Sequence, residues 1–148
     1  MKKSVLEKYN RVLTSNSSNV KYLNLKSINN FILHYNELVT FQMKNQVEEL
    51  LEDYLDFLLE KGEVSQSEAK SVFYKYIQPI GDIYVKRVGF SFYTKPSTIA
   101  FFLVLFWLLF FAISAPLVLY IVTGIFSLYF FLSDFNKLKR NKVYGFDF

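Results

Sequence analysis

The sequence has no cysteine, a single histidine and only three prolines among its 148 residues. Without cysteine it can form neither a disulfide framework nor a thiolate metal site, which suits a cytoplasmic environment. It also lacks a glycine-rich phosphate loop, a His-x-x-x-His pattern and an aspartate-rich metal motif. The one histidine, His34, lies beside the apolar stripe of a predicted helix, where packing is the usual role. We therefore expect no catalytic residue, no metal site and no cofactor, and we do not expect an enzyme.

The most informative absence is that of charge between Lys95 and Asp134. Residues 96–133 are almost all Phe, Leu, Ile, Val, Ala, Trp and Tyr. This run is too long for one helical crossing of a bilayer, which takes about 20 residues, and is about long enough for two short ones. It therefore predicts a C-terminal transmembrane helical hairpin.

We place the turn of the hairpin at Ser114-Ala115-Pro116, because proline lacks an N–H group and disfavours helical geometry in the residue before it. The two helices then cover about 97–113 and 117–132. Two alternatives stay open. A single helix of about 35 residues, kinked at Pro116, would span about 50 Å, more than the hydrocarbon core of roughly 30 Å. A shallow re-entrant hairpin would enter the bilayer without fully crossing it.

Basic residues flank the apolar run on both sides, and the positive-inside rule then places both flanks in the cytoplasm. A chain that crosses the bilayer an even number of times must also have both flanks on one side of it. The predicted location is the inner or plasma membrane, multi-pass, with both termini cytoplasmic. No cleavable signal peptide is expected, since 10–19 is polar where an apolar stretch would have to follow the basic start. The candidates for contact with the membrane interface or with an anionic ligand are Lys86, Arg87, Lys95, Lys137, Lys139, Arg140 and Lys142.

Residues 1–95 are predicted to form an all-α cytoplasmic domain, because apolar side chains recur at helical spacing in three stretches. A short amphipathic helix is expected over 4–13. A long helix is expected over about 27–61, with Ser27 as its N-cap, either continuous or broken near 44–46. If continuous it would be about 50 Å long and would pack against copies of itself or project as a stalk. The capping box Ser65 and Glu68 then begins a helix over about 66–80.

Two segments beside the apolar run have less regular patterns. Residues 82–95 mix aromatic and basic side chains, which indicates a short strand or an interfacial segment with its rings at headgroup level, and we favour the interfacial segment. The tail, 134–148, is basic and then aromatic. The tail either docks into a groove or frays, as chain ends usually do.

Charge is divided between the first two parts of the domain. Residues 1–26 carry six Lys or Arg and one Glu, whereas 27–63 carry two Lys and eight acidic residues. The basic start suits anionic lipid headgroups or a nucleotide, and no binding to duplex nucleic acid is expected. A cluster within the acidic part predicts a solvated face, or a surface that meets the basic segment of a neighbouring chain: Glu48, Glu49, Glu52, Asp53, Asp56 and Glu60.

A weak polar line follows the second predicted membrane helix, at spacings of three, four and seven residues. It predicts either close helix packing, since small residues let backbones approach, or the lining of a pore. In the pore interpretation, neighbouring aromatic rings would form a hydrophobic constriction. The candidates for pore lining or packing are Tyr120, Thr123, Gly124 and Ser127, and those for the constriction are Phe126 and Phe130.

Two functions follow from this layout. The first is an oligomeric channel, or a membrane-perturbing effector, controlled by the cytoplasmic helices. In layout the chain is similar to the small two-span effectors of bacterial defence systems, which implies a cytoplasmic part that senses an anionic nucleotide signal. The partners would be the lipid bilayer, further copies of the chain and that ligand. The second function is a non-catalytic membrane anchor or accessory subunit, whose partner is another membrane subunit of a larger complex.

Overall fold

The computed structural model describes residues 1–15, 22–93, 103–105, 107–109, 111 and 117–145. The chain divides into two compact units. Met1–Tyr93 and Lys142–Phe148 form the first, which we call the helical domain, and Thr94–Asn141 form the second, the apolar unit. The tail beyond Asn141 therefore belongs to the same unit as the N-terminal helices, although more than 45 residues of sequence separate them.

The structure is mostly helical, which confirms the all-α prediction. A short pair of parallel strands is the one departure among the described residues; a strand within 82–95 was the alternative that the sequence analysis did not favour, and the pairing with the tail was not predicted. The elements of the helical domain are α1 (Lys3–Ser15), α2 (Leu25–Leu33), a 3-10 turn (Tyr35–Glu37), α3 (Phe41–Lys61), α4 (Gln66–Val72), a π-helical segment (Phe73–Ile77), α5 (Gln78–Val88), β1 (Ser91–Phe92) and β2 (Val143–Tyr144), and the apolar unit contains α6 (Leu117–Lys139).

The acidic face of α3 is covered by the chain's own N-terminal segment. Valines on α1 are buried against α3, and this places the basic residues of the segment beside three carboxylates spaced four residues apart. A solvated face, or one that meets a neighbouring chain, was therefore the wrong prediction for these three carboxylates, because their partners are intramolecular. The bonds run from Lys2 N to Glu48 Oε1 (2.7 Å), from Ser4 Oγ to Glu52 Oε1 (2.7 Å) and from Lys8 Nζ to Asp56 Oδ2 (2.7 Å).

The long helix predicted over 27–61 is two helices, α2 and α3, and the break lies at 34–40 rather than near 44–46. Leu38 leaves helical geometry with ψ near 121° and buries its side chain. Thr40 then begins α3, because its hydroxyl accepts a bond from Met43 N at 3.3 Å and so caps the new helix. Ser27 was wrongly predicted as an N-cap; it lies inside α2 and is fully buried.

The helix predicted over 66–80 begins at the expected capping box of Ser65 and Glu68 but continues to Val88. A π-helical segment directly precedes α5, and Pro79 lies in the first turn of α5, where its missing N–H group is not needed. The interfacial segment predicted over 82–95 is therefore helical as far as Val88. Phe90, expected at headgroup level, is only 2% exposed and lies in the core.

The core of the domain is rich in aromatic rings, several of which pack around Phe31 of α2. The ring centroid of Phe31 lies 4.9 Å from that of Tyr84, 5.7 Å from that of Phe90 and 5.9 Å from that of Tyr144. The buried Tyr84 hydroxyl donates to the carbonyl of Phe31 at 2.6 Å, so its polar end is satisfied. This cluster joins α2, α5, β2 and the residue before β1, close to where the chain leads into and out of the apolar unit.

Candidate membrane segment and its junction with the helical domain

Within the described ranges, one helix is long and apolar enough to cross a membrane. This helix, α6, has 23 residues and a mean hydropathy of 1.8 over its most apolar window. At 1.5 Å per residue it is about 35 Å long, which exceeds the hydrocarbon core of roughly 30 Å. Its Leu, Ile, Val and Phe side chains are exposed on most sides, which is typical of a helix that faces lipid.

The first predicted membrane helix, 97–113, is described only in part: residues 103–105, 107–109 and 111 are helical. The predicted turn at 114–116 lies outside the described residues, as does Lys95. Trp107 is the described residue that connects this stretch to α6, because its ring centroid lies 5.4 Å from that of Tyr120. Two helical stretches of the apolar unit are therefore in contact.

The predicted polar line lies on the least exposed face of the central part of α6. Tyr120, Thr123, Gly124 and Ser127 are all partly covered, whereas the residues between them are exposed. A Cβ atom added at Gly124 would lie 3.7 Å from the Trp107 ring, an ordinary contact distance, so glycine brings this ring close to the helix. The structure thus brings these four candidates together on the face that meets Trp107.

The hydroxyl of Thr123 donates to the carbonyl of Leu119 at 2.7 Å, within its own helix. Phe126 and Phe130, the candidates for a hydrophobic constriction, lie to one side of the polar face and are exposed. Pore lining and constriction both stay predictions. The described contacts of the face are those of helix packing.

Within the helical domain, a parallel strand pair joins the chain segments that lead into and out of the apolar unit, and we call this pair and its surroundings the junction. β1 is close to the start of the apolar unit and β2 follows its end, and their register pairs Ser91 with Val143 and Phe92 with Tyr144. Ser91 N donates to Lys142 O at 3.0 Å, and Tyr93 N donates to Tyr144 O at 2.6 Å. The sequence left open whether the tail docks or frays, and the structure shows that 142–145 dock, while 146–148 lie outside the described residues.

Two buried polar side chains of α2 hold β2 in place. The Asn30 amide donates to the carbonyl of Val143 at 2.8 Å. The Ser27 hydroxyl accepts from Gly145 N at 3.2 Å and lies 3.4 Å from Gly145 O. Ser27 and Asn30 are one turn apart on α2, so both face the strand. The backbone groups of the returning tail are therefore satisfied inside the domain, as buried polar groups must be.

The ring of Tyr144 packs against Gly81 of α5, in the space that a side chain at this position would occupy. It stacks on Phe73 at 6.3 Å between ring centroids and meets the ring of Phe92 edge-on at 5.5 Å. A Cβ atom added at Gly81 would lie only 2.2 Å from Tyr144 Cε2. Burial raises the pKa of the Tyr144 hydroxyl, and the neighbouring carboxylate of Asp82 raises it further.

An ion pair also joins the residue before β2 to the 3-10 turn that follows α2. Lys142 Nζ donates to Glu37 Oε2 at 2.6 Å and to Val88 O at 3.3 Å, and the other oxygen of Glu37 lies 2.7 Å from His34 Nδ1. The bonds from Lys142 and then from His34 hold the pKa of the Glu37 carboxyl below its usual value. Lys142 was predicted to contact lipid or an anionic ligand, but this ammonium group is occupied by Glu37 and Val88.

The other described basic candidates lie just before the apolar run or just after it. Lys86 and Arg87 are exposed in the last turn of α5. Lys137 and Lys139 lie in the last turn of α6, where cations suit the negative end of the helix dipole, and Arg140 follows them. Lys139 lies over the Phe135 ring, at 4.7 Å from its centroid. These basic residues cluster in sequence around the apolar run, as the positive-inside prediction requires.

Sequence analysis missed the residues that build the junction: Ser27, Asn30, Glu37, Gly81 and Tyr144. Only Tyr144 had a recognisable pattern in the sequence, because it belongs to the aromatic end of the tail. The other four occupy ordinary positions in helices and turns, and their partners lie far away along the chain.

The described residues contain no group of three or more His, Asp or Glu side chains that would hold a metal ion. An open pocket of about 310 Å³ beside α3 is lined by Asp53, Asp56, Phe57, Glu60, Lys75 and Tyr76. Its carboxylates do not converge on one point, and Asp56 is already paired with Lys8. Comparisons of the sequence with protein-family models and with curated proteins gave no match, and neither did a comparison with solved structures.

Proposed function

We propose that this chain is a two-span integral membrane protein whose hairpin anchors the helical domain at the cytoplasmic face of the membrane, as a non-catalytic binding or accessory subunit. The observation that carries the proposal is the parallel pairing of β1 with β2. These strands lie just before and just after the apolar unit in the sequence, so the chain leads into and out of this unit at one place on the domain. A segment that leaves and returns on one side of a bilayer crosses it an even number of times.

The length of α6 supports two crossings rather than none, because a helix of this length and hydropathy suits a full span. The other crossing, the first in chain order, then belongs to 97–113, of which the described residues are helical. The basic residues at both flanks favour a cytoplasmic helical domain. The contact of Trp107 with Tyr120 and Gly124 supports a hairpin that packs against itself and presents apolar side chains to lipid.

Labelling of single cysteines tests the two crossings directly, since the native chain has none. In intact cells, a membrane-impermeant maleimide is expected to label Ser114→Cys. Glu63→Cys in the helical domain and Lys139→Cys at the end of α6 are expected to react only after the membrane is permeabilised. Labelling of all three after detergent treatment controls for intrinsic reactivity.

Two results would contradict the proposed topology. Protection of Ser114→Cys in intact cells, with labelling of all sites after permeabilisation, would indicate a re-entrant hairpin. Labelling of Glu63→Cys and Lys139→Cys from opposite sides would indicate one crossing, and it would also be incompatible with the pairing of β1 and β2.

A self-assembling channel or effector is the second candidate. The observation that favours it is that Trp107 covers the polar face only in part, so that Thr123 and Ser127 are still partly exposed. An oligomer could therefore turn these hydroxyls toward a common axis. In such a channel an anionic nucleotide would be sensed by the helical domain.

The mass of the protein purified in nanodiscs separates the two candidates. An anchor or accessory subunit is expected as a monomer or in a stoichiometric complex with a different polypeptide, without conductance in planar bilayers. A closed homo-oligomer that conducts, and whose conductance changes in the double variant Thr123→Ala and Ser127→Ala, would favour the channel. Unchanged conductance with impaired assembly would instead assign these residues to helix packing.

A further inference from the structure

The connection between α2 and α3 carries two apolar side chains that the domain does not cover. Val39 is 87% exposed and Phe41 is 79% exposed, the highest values among the large apolar residues described in the helical domain. Leu33, at the end of α2, is also exposed. Removing Val and Phe side chains from water is favourable, so two neighbouring exposed ones favour an apolar partner.

This connection lies at the end of the domain where the chain departs for the apolar unit and returns from it. Glu37 pairs with Lys142, the first residue of the domain after that unit. The ring of His34 meets the ring of Phe90, just before β1, edge-on at 5.5 Å between centroids. Val39 and Phe41 are therefore within a few residues of side chains that contact both ends of the junction.

Basic residues surround the same end. Lys86 and Arg87 are exposed and lie directly before Val88, whose carbonyl binds Lys142. Lys44, one turn into α3, lies over the ring of Tyr35 at 5.6 Å. Exposed apolar side chains, with Lys and Arg on the adjoining elements, are the composition of a surface that enters the headgroup region of an anionic bilayer.

We propose that Val39 and Phe41 insert into the bilayer surface and form a second membrane contact of the helical domain, separate from the hairpin. This inference rests on the proposed function, because it takes the junction to lie at the membrane. A lipid surface fits better than a protein partner, since the apolar pair is small, is flanked by cations and adjoins the residues that lead into the membrane segment. The inserted side chains would reach the boundary of headgroups and acyl chains, about 5–10 Å deep.

Tryptophan fluorescence tests this contact, because Trp107 is the only tryptophan of the chain. The double variant Phe41→Trp and Trp107→Phe places the single fluorophore at position 41. The matched control is Leu13→Trp with Trp107→Phe. Leu13 is also an exposed apolar residue, but α1 runs alongside α3 from Glu48 toward Asp56, so Leu13 lies toward the far end of α3.

All proteins are reconstituted in nanodiscs of phosphatidylcholine and phosphatidylglycerol, with and without bromine on the upper acyl carbons. We expect the tryptophan at 41 to lose most of its fluorescence to the brominated lipid and to be shielded from acrylamide. The tryptophan at 13 is expected to keep its fluorescence in brominated lipid and to be quenched by acrylamide. Adding Lys86→Gln and Arg87→Gln is expected to weaken the lipid quenching at 41, because fewer cations then attract the anionic surface.

Each other result overturns the inference. Quenching at 41 by acrylamide to the same extent as at 13 would show that this position is solvated. Shielding at 41 from both quenchers would show that protein covers it. The fluorescence of Trp107 in the native protein distinguishes failure of this inference from failure of the proposed function. If brominated lipid quenches Trp107 but not the tryptophan at 41, only the second contact is lost, whereas an unquenched Trp107 would refute the membrane hairpin itself.

Discussion

Replacement of Gly81 by alanine is expected to detach the returning tail from the helical domain. The added Cβ would lie 2.2 Å from Tyr144 Cε2 and 2.4 Å from Cζ, and the ring is enclosed by other aromatic side chains. Overpacking a filled core costs about 1–3 kcal/mol, which exceeds the ~1 kcal/mol that alanine gains over glycine in a helix interior. The free energy of unfolding should fall, and the amides of Ser91 and Tyr93 should exchange faster with solvent, because their acceptors lie in the tail.

A double-mutant cycle with Tyr144→Ala provides the control. Tyr144→Ala alone should cost about 3–5 kcal/mol, as for other large aromatic truncations in cores. In that background the clash is absent, so Gly81→Ala should be neutral or stabilising by up to ~1 kcal/mol. Gly81→Ala should therefore lower the free energy of unfolding only when Tyr144 is present. Equal destabilisation in both backgrounds would show that Tyr144 does not occupy the space over Gly81.

The sequence predicted best what local pattern alone determines. The absence of charge over 96–133 located the apolar unit, and apolar periodicity located α1, whose valines are buried as expected. The capping box of Ser65 and Glu68 located the start of α4, because both partners are within one helical turn. Each of these signals depends on neighbours within a few residues.

The break between α2 and α3 was misplaced because the apolar spacing continues through it. Tyr35 and Leu38 both lie on the predicted stripe and are both buried, but they reach the core from a 3-10 turn and an extended residue. Periodicity reports which side chains are buried and does not distinguish the backbone that carries them. The cap at Thr40 was the local signal for the break.

The junction could not be predicted because its partners are distant in sequence. Asn30 binds the backbone of a residue 113 positions away, and Ser27 one of 118 positions away. A strand pair of two residues is too short to show alternation. A buried serine and asparagine inside a helix look like surface residues until the tail that they bind is in place. The same holds for Gly81, whose role depends on the ring of Tyr144.

The polar residues of the helical domain at the junction have their partners within that domain. Lys142 and Glu37 neutralise each other beside the carbonyl of Val88. The bonds to β1 and α2 satisfy the backbone of the tail.

Replacement of Glu48 should give the second large effect, because it removes a buried carboxylate that joins three segments of the domain. Glu48 is 4% exposed and accepts bonds of 2.7 Å from the Tyr35 hydroxyl and from the Lys2 amide. Each donor left unpaired in a buried site costs about 1–3 kcal/mol, so Glu48→Ala should lower the free energy of unfolding by about 3 kcal/mol. Glu49→Ala, on the exposed side of the same helix, is the matched control and should change stability by less than ~0.5 kcal/mol.

The pH dependence of unfolding tests the contribution of the Glu48 carboxylate with Glu48→Gln, a substitution that leaves no cavity. Burial alone would raise its pKa, but the bonds from Tyr35 and the Lys2 amide hold it below the usual value of 4.5. The ionised form therefore stabilises the folded state fully at pH values above 4.5, and this contribution is lost as the pH falls below that value. Glu48→Gln should unfold more readily than the native protein at pH 7, with the difference narrowing toward pH 3, measured by thermal unfolding in nanodiscs. A difference that stays constant between these pH values would show that the charge of Glu48 contributes nothing to the fold.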